Sequence, residues 1–252
     1  MVMTGSWTGS LSPRLHRTFA LIGPALVVIF FAGFLLSGFF PPSDPSATAR
    51  GIADMYRADT TAIRVGCVLM CVGLALFAPY GCLIAMCTKQ IEKRFPLLTY
   101  VQLVALAACT TVVVLIPLTW ALAAYRPDDV SPDVTRMLHD AGWFLFLFSW
   151  PPFSIWIGAV GVAVLRDGQA APLLPRWSGY LSLWTALLFA PAALMAFFKT
   201  GPMSYNGVIA FYIPTFIFFV WVAGMTVALL RIAPDHATTG NAPRAVPTPS
   251  AP

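Results

Sequence analysis

The sequence predicts an all-α membrane protein: a bundle of six transmembrane helices, kinked by proline, with the N- and C-termini both cytoplasmic. Composition is the first reason. Of 252 residues, 58% are hydrophobic and 10% charged, far below the roughly one-quarter charged residues of soluble domains, so water is not the main solvent of this chain. Spacing is the second: the apolar residues gather in blocks of about 18 to 25, the length that crosses a hydrocarbon core of about 30 Å. The third is the placement of Lys and Arg, which fall between the blocks in an alternating pattern.

The N-terminal segment, residues 1–18, is polar and carries Arg14 and Arg17. The first span is expected at about residues 19–40. Its apolar run is longer than the core of a cleavable signal peptide, and Pro41-Pro42 precedes the small-residue triplet Ala47-Thr48-Ala49, so it reads as a retained helix. After it, Ser46 is expected to cap a short helix along the membrane surface, with Ile52, Met55 and Tyr56 on one face. Further spans are expected at about residues 63–86, 98–124, 143–165, 178–198 and 208–230. Between the third and fourth, Ser131-Pro132-Asp133 combines a cap, a proline at the first helical position and an acid in the first turn. Residues 231–252 are rich in Pro, Ala and Thr with almost nothing to bury, the composition of a disordered cytoplasmic tail.

Orientation follows from the basic residues. With the N-terminus inside, the cytoplasmic side carries nine of the fifteen Lys and Arg and three acids. The other side carries six basic and seven acidic residues, so the net charges are +6 and −1. This is the pattern of a multi-pass protein of the bacterial plasma (inner) membrane. Dispersed cations of this kind serve as topology signals, and no nucleic-acid partner is expected.

Chemistry is sparse. There is no phosphate-binding glycine loop, nucleophile elbow or HExxH. Three histidines, His16, His139 and His236, exclude a histidine-rich metal oxygenase. An ATPase acting alone is excluded too, and no metal or cofactor is expected. Cys67 and Cys71 share a helix face, but no His or acid in the block completes a site, so small hydrophobic filling is the expectation. Arg64, His139, Asp140 and Lys199 are expected at one depth on the outer rim. Two readings stand: an ionic cluster marking a substrate entrance, with Arg64 beside Asp140, or separate roles, with Arg64 and Lys199 snorkelling and Asp140 paired to Arg136.

A second group lies deeper. Ser149-Trp150-Pro151-Pro152 falls in the middle of span four, where the prolines deprive the carbonyls of Leu147 and Phe148 of their helical donors and enforce a kink. Such interruptions line substrate sites in transporters and also occur as packing kinks. Pro24, Pro79, Pro117, Pro191 and Pro214 are expected to bend the other spans. Gln102 and Ser149 are among the few polar residues placed to face a central cavity. Trp120, Tyr125, Trp143, Trp177, Tyr180, Tyr205 and Tyr212 are expected in interfacial belts, and Trp150, Trp156, Trp184 and Trp221 deeper, where flat rings line a pocket or pack.

Pro175-Arg176-Trp177, Phe198-Lys199-Thr200-Gly201-Pro202, Asn206-Gly207 and the Pro41-Pro42 turn resemble a family of uncharacterised bacterial multi-pass, six-helix membrane proteins of similar length. The resemblance covers most of the helical part and implies topology; the family has no assigned activity. The leading functional expectation is a protein that binds or moves a hydrophobic small molecule or lipid between kinked spans. The alternatives are a membrane-embedded enzyme on an isoprenoid- or sterol-like substrate, with Asp140 or His139 as acid or base, and an accessory subunit of a larger membrane complex. The bilayer is the expected surrounding, with a complex partner or a second copy as further candidates.

Overall fold

The computed structural model describes residues 12–93 and 95–232. Most of the N-terminal segment, Arg94, and the expected disordered tail from residue 233 onward lie outside the described residues. Within them the protein is all-helical, with no strand, and six helical spans are long and apolar enough to cross a membrane.

The first span is α1 (Pro13–Leu36). It starts earlier than the apolar block because Ser12 accepts from the Leu15 N–H and Pro13 supplies the first helical position. A short α2 (Ala49–Ala58) follows, capped by Thr48 and not by Ser46, whose hydroxyl instead donates to Asp44. It buries Ile52, Ala53 and Tyr56 and packs across α6. The second span is split into α3 (Thr60–Ala75) and α4 (Phe77–Glu92), and the third is the unbroken α5 (Leu97–Ala123). The fourth divides into α6 (Pro132–Leu147) and α7 (Trp150–Leu165). In the fifth, α8 (Arg176–Leu188) tightens into a 3₁₀ segment, Ala190–Ala196. The sixth opens with a π turn, Val208–Tyr212, and continues as α9 (Ile213–Leu230).

Each span packs on its successor, and the first packs on the last, so the six close into a ring. Residues 37–59, 124–131 and 197–207 gather at one end, here the α2 end. The two described chain ends lie at the other, the terminal end.

Between helices in lipid there is little hydrophobic driving force, so association depends on close packing of small residues. At the α1–α3 contact a Cβ on Gly33 would stand 2.5 Å from the Gly66 carbonyl oxygen, and one on Gly73 would stand 2.8 Å from the Phe30 nitrogen. The α7–α8 contact repeats the device, with a Cβ on Gly161 reaching 2.9 Å from the Gly179 oxygen. Gly158 has room, its nearest neighbour being the Ala186 methyl at 3.7 Å. Gly66→Ala and Gly161→Ala are therefore expected to lower the thermal unfolding midpoint in mild detergent, each by the equivalent of about 1–3 kcal/mol, whereas Gly158→Ala leaves it near wild type.

Candidate functional site

The helix interruptions converge. Span two breaks at Leu76, span four at Phe148 and Ser149, and span five changes pitch at Ala190. Pro214 stands just inside α9, after the π turn. Between them lies a cavity of about 90 Å³, partly open to the outside of the bundle. Leu74 and Phe77 flank the first break and Leu147, Trp150 and Phe153 the second, while Phe189, Ala192 and Pro214 come from the fifth and sixth spans. Leu26 and Phe30 of α1 and Val113 of α5 complete the inner wall. The cavity also lies on a seam. One buried cluster, with Tyr80, Trp156 and Trp221, fills the terminal half; another, with Phe34, Trp120 and Trp143, fills the α2 half. Phe153 packs against both.

Broken helices leave carbonyls without donors, and in hydrocarbon these must be answered from within the protein. Ser149 donates its hydroxyl to the Leu145 carbonyl. Ser154 donates to Ala186 at 2.7 Å, joining α7 to α8 just before the 3₁₀ segment.

Of the sequence-predicted pocket residues, the structure places Trp150 in the cavity wall, with Ser149 and Pro151-Pro152 forming the break beside it. Trp184 lies elsewhere: it is 61% exposed, because α8 turns Ser178, Ser182 and Thr185 inward and leaves the indole on the opposite face. Gln102 is buried away from the cavity, accepting from Thr88 at 3.3 Å, and its Nε2 has no partner.

The rim residues do not form one ionic cluster. Arg64 donates to the carbonyls of Ala124 and Tyr125 at 3.0 and 2.7 Å, closing the C-terminal end of α5, a favourable place for a cation. Its guanidinium is thereby occupied, and no Arg64–Asp140 ion pair exists. Arg136 pairs with Asp133 at 3.4 Å and not with Asp140. Asp140 faces the charges of Arg136 and Lys199 from farther away.

His139 is instead the centre of a buried polar knot. Its Nε2 accepts from the Trp143 indole at 3.0 Å and lies 2.7 Å from the Ser43 hydroxyl. An indole N–H only donates, so Nε2 is unprotonated and Nδ1 carries the proton given to the Tyr56 hydroxyl at 3.0 Å. Tyr205 reaches Ser43 at 3.3 Å and stacks on Trp143 with centroids 5.2 Å apart. Trp120 donates to the His139 carbonyl at 3.1 Å. Burial pushes the Tyr56 hydroxyl well above its ordinary range and that of Tyr205 up to about 12, so both stay neutral hydrogen-bonding groups.

Trp120, Trp143 and Tyr205 are accordingly buried and do not belong to the expected belt; Tyr125, Trp177, Tyr180 and Tyr212 are exposed. With both ring nitrogens engaged, His139 has none free for a substrate. The knot ties α6 to α2 and to the segments carrying Ser43 and Tyr205. The cavity and the knot share a helix face: His139, Trp143, Phe146 or Leu147, and Trp150 follow at helical spacing down span four.

Comparison with protein-family models, curated proteins and solved structures returned no match.

His139→Leu strands the Trp143 and Ser43 donors and the Tyr56 hydroxyl. The expected result in lipid nanodiscs is a lower unfolding midpoint, equivalent to about 1–3 kcal/mol for each buried group left unpaired. Asp140→Asn, which breaks no ion pair, is expected to shift it far less.

Proposed function

We propose that this chain is a multi-pass protein of a bacterial plasma membrane that binds, and in doing so carries, a small hydrophobic molecule or lipid in the mid-depth cavity. The observation that carries the reading is the cavity itself, an apolar void placed where the interruptions of four spans meet. A ligand that fills the space supplies the dispersion contacts its lining otherwise lacks. An engineered apolar cavity of about 150 Å³ holds benzene; this space is smaller but open on one side, so it suits part of a ring or the end of a longer chain whose remainder leaves through the open side.

The lining argues against an ion pathway, which calls for carboxylates or rings of carbonyls; among the described residues no ionisable one contributes to this wall. The excess of Lys and Arg beside the terminal end supports an orientation with both chain ends in the cytoplasm. The motifs at Pro175-Arg176-Trp177 and Phe198-Lys199-Thr200-Gly201-Pro202 support membership of the bacterial six-helix family they resemble.

Mass spectrometry of gently purified protein is expected to find a stoichiometric lipid or apolar metabolite. A panel of small lipophiles is expected to raise the thermal midpoint. Ala192→Phe, which fills the cavity from a buried position, is expected to abolish both effects while keeping the protein folded. No bound lipophile together with no thermal response from wild type would contradict the proposal.

A further inference from the structure

Two side chains of the largely apolar wall carry hydrogen-bonding groups. Trp150 stands at the first position of α7, and Thr215 follows Pro214 near the start of α9; both line the cavity. Many such groups in the spans are spoken for. The indoles of Trp120, Trp143 and Trp221 donate to the His139 carbonyl, the His139 ring and the Ser182 hydroxyl. The hydroxyls of Thr110, Thr111 and Thr185 turn back to the carbonyls of Leu106, Ala107 and Leu181.

The Trp150 indole N–H and the Thr215 hydroxyl have no such partner among the described residues. Trp156 Nε1 and Thr135 Oγ1 also lack partners, but these atoms are sealed inside the protein. Trp150 and Thr215 are only partly buried, and they border the cavity proposed above as the ligand site. An indole N–H next to hydrocarbon is an unanswered donor, and its loss of water is not compensated by the protein.

We infer that the ligand of this cavity is a neutral, largely apolar molecule bearing one oxygen, a ketone or a hydroxyl, that accepts from Trp150 Nε1 and meets the Thr215 hydroxyl. This rests on the reading of the cavity as a ligand site. A charged headgroup does not fit, because no ionisable side chain lines the wall to neutralise it. A pure hydrocarbon fits by shape but leaves both polar groups unmet. One neutral hydrogen bond in such a site corresponds to roughly tenfold in affinity.

Acetophenone and cumene test this as a shape-matched pair, since the ketone oxygen of the first replaces a methyl of the second. Equilibrium dialysis against nanodiscs with and without the protein separates binding from partition into lipid. Wild type is expected to bind acetophenone about tenfold more tightly than cumene. Trp150→Phe and Thr215→Val are each expected to remove most of that advantage, read as the acetophenone-to-cumene affinity ratio within each variant, with cumene still bound as the check that the cavity survives. Equal binding of the two probes by wild type, or variants that keep the full preference, would overturn the inference and leave the lipophile site standing. Binding of neither probe would overturn both.

Discussion

A backbone carbonyl in hydrocarbon has no water to turn to, and this chain places five prolines and a proline pair inside its spans. Each removes a donor that the helix would have used. Pro24 and Pro117 are absorbed within continuous helices. Around Pro79, Pro151-Pro152 and Pro191 the regular helix is interrupted, and Pro214 follows a π turn. Side-chain hydroxyls answer part of the deficit, Ser149 within its own span and Ser154 across to Ala186. Because the interruptions fall in neighbouring layers of adjacent spans, the space they leave is shared, and the seam between the two core clusters widens into a cavity.

Both ends of the bundle are fixed by polar contacts that involve charged or titratable side chains. At the α2 end, His139 draws Ser43, Tyr56, Trp143 and Tyr205 into one network. At the terminal end, Glu92 accepts from the backbone of Leu98 and Thr99, Asp167 accepts from Gln169 and Leu173, and His16 lies 2.9 Å from the Leu229 carbonyl. Close glycine contacts hold α1 to α3 and α7 to α8 through the layers between. The cavity wall is thus built largely from aromatic and aliphatic rotamers, the kind of boundary that a lipophile can reshape without breaking hydrogen bonds.

Six spans were legible because twenty apolar residues in a row have one physical explanation, and the structure bears them out. The break in span four was legible for the same reason: Pro151-Pro152 leaves two adjacent carbonyls without donors. Boundaries were less so. Ser12 and Pro13 start α1 inside a polar segment, and Thr48 takes the capping role expected of Ser46, contests decided by local geometry rather than composition. The His139 knot was missed because its partners come from three separate segments. Its signal was the spacing of Thr135, His139 and Trp143 on one face of α6, with a proton donor four residues beyond an imidazole. Trp184 was placed in the pocket on depth alone, which says nothing about which side of a helix a ring occupies.

The central claim is that an apolar, ligand-accepting void lies at the seam where the spans break. Crystals of the protein pressurised with xenon test it most directly, since xenon enters dry apolar cavities without chemical preference. The account predicts xenon bounded by Phe77, Phe153 and Phe218, displaced in Ala192→Phe. A seam closed by these rings, with no xenon between the two core clusters, would contradict it.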